Sequence, residues 1–296
     1  MNKNEFFSSD SLRCQRLGAI LYFTNIKGVY GLEGTLGFIG AGNMSSAILS
    51  GILQTGLLPP ARILVSNRHE SKLEVPARRG VFTTTDNKDV AKSADMVILS
   101  VKPQMFPEVL PELAPLLWDK CVISIAPGRS MAWLSLQLPG AHIVRAMPNT
   151  PLLVGKGVTA VAEAPQVPRP LFDAVVEIFS SVGEVSIVPE SMLDAVTAVS
   201  GSSPAYFFRM ADAMVKGAGR LGMDPEEALR LIALTMEGAA KMLLESGGGA
   251  GELTRQVCSP GGTTLAALTA FDEYRFEEMI SQAMERCVRR SRELGQ

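Results

Sequence analysis

Two short stretches carry residue types suited to holding an anion. The first is Ile39-Gly40-Ala41-Gly42-Asn43-Met44, where two closely spaced glycines follow an apolar run. Gly40 permits a tight turn, and Gly42, without a Cβ, lets a pyrophosphate approach the backbone. The second is Ser259-Pro260-Gly261-Gly262-Thr263-Thr264. Its glycines leave backbone N–H groups uncovered, Pro260 suits the first turn of a helix, and the hydroxyls of Ser259, Thr263 and Thr264 can donate. A carboxylate would sit on those donors and on the helix dipole. Each stretch also has a ligand-free reading: a tight strand-to-helix turn for the first, a capped helix start for the second.

The elements around them follow two regimes. Over 35–187, short β-type runs at 35–39, 62–66, 81–83, 95–100, 121–125, 142–145, 157–161 and 183–188 alternate with helical stretches. Strands separated by helices imply parallel βαβ units, and hence a doubly wound, mostly parallel Rossmann-type sheet. From 188 to 296 the pattern is helical throughout. Asp224-Pro225-Glu226-Glu227 is a strong helix start, and Gly247-Gly248-Gly249 a break. One helix is expected over 204–221, and another over 272–294. Residues 1–34 are read as a poorly ordered extension without function.

Ligands of doubly wound sheets bind beyond the carboxyl ends of the strands. Ser66-Asn67-Arg68 stands there, where an acid that meets a free ribose 2′-hydroxyl is usual about 20 residues past the glycines. A carboxylate would repel a 2′-phosphate, whereas Arg68 can pair with one, and Ser66 and Asn67 can donate to it. This favours NADP(H) over NAD(H), NADH remaining open; the alternative is an arginine at a helix start with no ligand. Asn87, at the start of the helix after the third strand, joins the cofactor set. Ser100-Val101-Lys102-Pro103 follows the fourth strand and places Lys102 near a ribose, or leaves it as a plain loop lysine. Ala126, after the fifth strand, is small enough for a nicotinamide to lie against backbone. Met147-Pro148-Asn149-Thr150-Pro151 is a rigid turn where a substrate would arrive at Asn149, though its composition is that of any turn.

Composition narrows the function classes. The net charge is −2, which argues against a nucleic-acid surface. No run approaches a membrane span. The four cysteines (Cys14, Cys121, Cys258 and Cys287) are scattered, which fits a reducing cytoplasm and not a zinc site. With only 2 histidines, a metal site or a Ser–His–Asp triad is not expected, so a bound cofactor should supply the chemistry. The helical half holds more apolar side chains than one small layer covers, among them Ala205, Phe207, Phe208, Met210, Met214, Leu229, Ile232 and Met236. This favours a homodimer in which helices of two chains pack together; an ordinary buried bundle core is the alternative.

Taken together, these residues resemble the pyrroline-5-carboxylate reductases over roughly 35–294. The resemblance rests on Gly37-Phe38-Ile39-Gly40-Ala41-Gly42-Asn43-Met44, Val101-Lys102-Pro103-Gln104, Met147-Pro148-Asn149-Thr150-Pro151 and Leu193-Asp194-Ala195-Val196-Thr197-Ala198. Ser200-Gly201-Ser202-Ser203-Pro204-Ala205-Tyr206 and Ser259-Pro260-Gly261-Gly262-Thr263-Thr264 complete it. It implies an N-terminal Rossmann domain and an all-α dimerisation domain, with dimers that in the family often build decamers. It also implies hydride transfer from NADPH to the C=N carbon of Δ1-pyrroline-5-carboxylate, giving L-proline. In the family the backbone N–H groups of the Ser-Pro-Gly-Gly-Thr-Thr start hold the substrate carboxylate, and the position of Thr264 faces the ring nitrogen. That helix is open to being supplied by the partner chain.

Three departures from the family pattern stand out: Ser45 for a glycine, Ser203 for the glycine of Ser-Gly-Ser-Gly-Pro-Ala-Tyr, and Pro127 for an alanine. Ser45 is expected at most to loosen the packing of helix on strand. Two rival functions share the scaffold. One is a β-hydroxyacid dehydrogenase, whose lysine acid/base would have to be Lys216. The other is a non-catalytic NADPH-binding sensor.

Overall fold

The computed structural model describes residues 34–295; of the extension read over residues 1–34, all but Gly34, and Cys14 with it, lies outside them. An 8-stranded sheet organises the first half, in the order β3-β2-β1-β4-β5-β6-β7-β8. Its strands are β1 (Leu36–Ile39), β2 (Ile63–Ser66), β3 (Phe82–Thr84), β4 (Met96–Leu99), β5 (Cys121–Ser124), β6 (His142–Met147), β7 (Gly157–Ala162) and β8 (Gly183–Val188). β1 to β6 run parallel in the 3-2-1-4-5-6 order of a dinucleotide-binding sheet. β7 pairs antiparallel with β6, and β8 returns parallel to β7.

The central strands are buried on both faces, so they read as continuous apolar runs rather than alternating ones. Leu36, Phe38, Ile39, Val97, Ile98, Val122, Ile123 and Val144 form this core. Helices α1 (Asn43–Thr55), α2 (Glu74–Arg78), α3 (Asn87–Ser93), α4 (Phe106–Leu113), α5 (Met131–Gln137) and α6 (Arg169–Ser180) fill the connections. α1 buries Ala47, Ile48 and Ile52 and ends at Gly56 in the left-handed conformation. α3 starts where the Asp86 carboxylate accepts from Lys88 N at 2.8 Å.

After Val188 every regular element is helical: α7 (Leu193–Val196), α8 (Ser203–Arg220), α9 (Pro225–Glu245), α10 (Ala250–Val257), α11 (Thr263–Glu273) and α12 (Phe276–Leu294). The Asp224 carboxylate caps α9 by accepting from Glu226 N and Glu227 N, both at 3.0 Å, as its sequence requires. A wide π-helical turn, Thr197–Gly201, joins α7 to α8. Two expectations need correction. The helix placed over 272–294 begins later, at Phe276: Asp272 and Glu273 still belong to α11, and Arg275, with φ 52°, a left-handed conformation, separates α11 from α12. Pro260 does not open a helical turn. Gly262 N donates to Ser259 O at 2.9 Å, and Gly261 has φ 70°. Ser259–Gly262 is therefore a type II turn, with Pro260 at its second position and Gly261 at the third, which demands positive φ. Gly262 then caps α11.

The helical half is tied to the sheet at several points. Asn149 Nδ2 donates to Ser200 O at 3.2 Å. Within the helical half, Ser291 Oγ on α12 donates to Asp194 Oδ1 on α7 at 2.7 Å; back across to the sheet, Arg129 Nη1 donates to Gly295 O at 2.9 Å. The last contact lays the end of α12 against the loop after β5.

Candidate cofactor and substrate site

The carboxyl ends of β2, β1 and β4 are laced together at the glycine turn. Gly40 N donates to Ser66 O at 2.9 Å, and Ser100 N donates to Ile39 O at 3.0 Å. Gly40 has φ 107°, and a Cβ there would lie 3.1 Å from the Ser100 carbonyl and from Val101 Cγ1. Both the turn and its close neighbours therefore require glycine. Gly42 caps α1, and a Cβ there would meet nothing within 4 Å. The first helical bond runs from Ser46 N to Gly42 O, so the amides of Asn43, Met44 and Ser45 are unspent. Open space in front of unpaired N–H groups at the positive end of a helix fits a pyrophosphate.

Beside the turn, Arg68 is exposed. Its Nε donates to His69 Nε2 at 3.3 Å, and its terminal nitrogens make no bond among the described residues. Asn67 Oδ1 accepts from His69 N at 2.9 Å, which shapes the loop that presents Arg68. Ser66 does not serve as expected. It is fully buried, and its hydroxyl points to Asn87 Oδ1 at 2.8 Å and to Phe38 O at 3.3 Å. Its hydroxyl orients Asn87 instead of reaching a ligand. Lys102 is exposed at the same edge, Pro103 beneath it is buried, and Ala126 is buried at the end of β5.

Asn149 is likewise committed inside the protein. It is 6% exposed, and its Oδ1 accepts from Val158 N at 2.9 Å while its Nδ2 serves Ser200 O. A helix would satisfy the Ser200 carbonyl with the N–H four residues on, but that residue is Pro204, which has none. Asn149 supplies the missing donor with one of its two amide hydrogens, so both ends of the side chain are anchored inside the protein. The clue was in the sequence as a proline four residues past Ser200.

The α11 start repeats the arrangement at α1. Its first helical bond is Ala266 N to Gly262 O, so the amides of Thr263, Thr264 and Leu265 are unspent. The hydroxyls of Thr263 and Thr264 make no bond among the described residues, and Thr264 is half-buried. No described hydrogen bond joins Ser259–Thr264 to the glycine turn. Elsewhere, burial pushes the Cys121 thiol up to about 12, which removes it as a nucleophile. The Tyr206 phenol is raised, by desolvation first and by Cys287 next. Lys216 donates to Asp212 at 2.6 Å in an exposed pair one turn apart, so the lysine a hydroxyacid dehydrogenase would need is held in a surface ion pair. Among the described residues no group of His, Cys, Asp and Glu is placed to hold a metal.

The family model for pyrroline-5-carboxylate reductase dimerisation matches residues 190–294. A second model, described as NADP oxidoreductase coenzyme F420-dependent, matches residues 35–128. The pyrroline-5-carboxylate reductase of Methanosarcina acetivorans is 40% identical over 263 residues, spanning 88% of this chain and 97% of that protein. The chain belongs to the pyrroline-5-carboxylate reductase family. The Escherichia coli pyrroline-5-carboxylate reductase is 38% identical over 89% of this chain and 99% of its own length. Among solved structures, the Plasmodium falciparum pyrroline carboxylate reductase with NADP bound superposes with a TM-score of 0.84. It is 27% identical and covers 89% of this chain and 99% of that one. The family member from Coxiella burnetii gives a TM-score of 0.80 at 36% identity, over 90% and 100% of the two chains. The dinucleotide-binding sheet followed by a helical dimerisation segment is thus the family's architecture.

Proposed function

We propose that this chain reduces the C=N bond of Δ1-pyrroline-5-carboxylate with NADPH, giving L-proline. Within a family of this activity, the observation that carries the reading is the α11 start: unspent amides and free hydroxyls on one helix end suit a small ring bearing a carboxylate beside a nitrogen. Bound NADPH supplies the hydride. The amides of Asn43, Met44 and Ser45 hold its pyrophosphate, Arg68 its 2′-phosphate, and Lys102, Asn87 and the backbone at Val101 and Ala126 border the rest. Lys102 projects from an exposed edge of this site.

A protonated imine is already electrophilic, so the protein's task is to orient the ring and exclude water. The amides of Thr263 and Thr264 fix the carboxylate, and Thr264 Oγ steadies the nitrogen proton. Thr264→Ala is expected to lower kcat/KM about 100-fold and Thr264→Ser by no more than about threefold. Wild-type activity in Thr264→Ala would remove Thr264 from the mechanism. Arg68→Ala is expected to raise the KM for NADPH about tenfold, with that for NADH unchanged, as loss of a charged hydrogen bond implies. An unaltered ratio of the two cofactors would refute the role given to Arg68.

Residues 35–187 serve as the nucleotide-binding domain and 188–296 as the dimerisation and substrate domain. Large apolar side chains stand exposed on α8, α9 and the turn between them, Leu221 at 89% and Phe208 at 68%. A homodimer that covers them accounts for this exposure, and dimers assembling to a decamer in the cytoplasm complete the reading. No helix among the described residues is long and apolar enough to cross a membrane. A steady-state assay of pyrroline-5-carboxylate reduction with NADPH and NADH, set beside hydroxyacid oxidation, tests the function. Light scattering measures the assembly.

A further inference from the structure

Ser45 stands where the third small residue of the dinucleotide fingerprint packs helix against strand. It is 3% exposed, and its hydroxyl does not cap its own helix. Ser45 Oγ donates to Ser100 Oγ at 2.8 Å. Ser100 Oγ in turn donates to the carbonyls of Gly40 at 2.9 Å and Ile39 at 3.0 Å. Two hydroxyls therefore connect α1 and the end of β4 to the peptide that follows Gly40.

We propose that Ser45 and Ser100 act as a positioning relay that sets the Gly40–Ala41 peptide for the cofactor pyrophosphate. The inference rests on the reading that this turn receives NADPH. A trans peptide directs its C=O and its N–H to opposite sides. Holding the Gly40 carbonyl on Ser100 therefore turns the Ala41 N–H away from Ser100, and that N–H makes no bond among the described residues. Gly40 has no side chain to restrain the peptide plane, so the restraint has to come from outside the turn. Ser45 fixes the Ser100 hydroxyl by donating to it, which leaves the Ser100 proton for the carbonyls. The residue that departs from the fingerprint thereby adds a restraint, contrary to the loosening expected of it.

The test is fluorescence titration of the full-length enzyme with NADPH, alongside adenosine 2′-monophosphate, which carries the 2′-phosphate but no pyrophosphate. Ser45→Ala and Ser45→Gly are each expected to weaken NADPH binding about fivefold, ~1 kcal/mol and the size of one hydrogen bond. Affinity for adenosine 2′-monophosphate should not change. In a Ser100→Ala background, adding Ser45→Ala should cost nothing further, because the relay is already broken. Unchanged NADPH affinity in Ser45→Ala, an equal loss for both ligands, or full additivity of the two substitutions would each overturn the proposal. Wild-type enzyme that binds adenosine 2′-monophosphate but not NADPH would overturn the underlying reading of the turn as well.

Discussion

Gly42→Asp is expected to raise the KM for NADPH at least about 100-fold while the melting temperature stays at or above that of the wild type. Gly42 has φ −86° and ψ −179°, extended backbone that any residue adopts, and an added Cβ meets nothing within 4 Å. The fold therefore does not need this glycine. Aspartate is in fact a preferred residue at a helix cap, and its charge suits the N-terminus of α1. The same carboxylate would accept from the amides meant for the pyrophosphate and face it at roughly 5 Å. Two like charges at that distance repel by about 3 kcal/mol at an effective dielectric constant of about 20, which is more than 100-fold in affinity. Kinetics and thermal unfolding on one preparation separate the two effects. A lowered melting temperature with unchanged KM would mean that the turn, and not the ligand, requires glycine.

Phe208→Glu is expected to convert the enzyme to monomers at micromolar concentration and to lower its activity at least about 100-fold. Phe208 projects from α8 with Phe207 and Met214 also exposed, and Leu229, Leu234 and Leu244 of α9 are exposed as well. An apolar surface of this extent needs a partner. A carboxylate buried in such a contact without a counter-charge costs several kcal/mol. Activity should fall because α11, whose start carries Thr264, makes no described hydrogen bond to its own sheet. Light scattering and specific activity measured against protein concentration check this. Full activity in a monomeric Phe208→Glu enzyme would show that one chain completes the site.

The sheet was legible because its strands are buried on both faces and bounded by glycine, proline and capping residues. Val97-Ile98-Leu99 in β4 and Val122-Ile123 in β5 admit little else. The antiparallel entry of β7 was not legible, since the direction of a strand is set by how its connection packs and not by its residues. The start of α9 was plain in Asp224-Pro225, whereas the break at Arg275 depends on a left-handed conformation that a non-glycine side chain does not announce.

The site divides along similar lines. Gly40, Gly42 and the α11 start declared themselves because backbone conformation leaves a mark in residue type. Side chains did not. Ser66 and Asn149 are small polar residues in places where a ligand was expected, and Ser45 is one where only packing was; a sequence records neither which way a hydroxyl or amide points nor what it meets. Ser66 turned inward to Asn87, Asn149 to an orphaned carbonyl at Ser200, and Ser45 to Ser100. In each case the partner lies on a different element, brought close only by folding.

Both proposed anion sites would bind through main-chain N–H groups left unspent at Asn43, Met44 and Ser45 and again at Thr263, Thr264 and Leu265. Any residue except proline carries that donor. These sites can therefore drift in sequence over evolutionary time without losing what they bind with. A saturating mutational scan should register this as broad tolerance at Asn43, Met44 and Leu265, with proline alone excluded. Intolerance should fall on Gly40 and Gly261, whose identities encode the shape of the chain rather than any contact with a ligand.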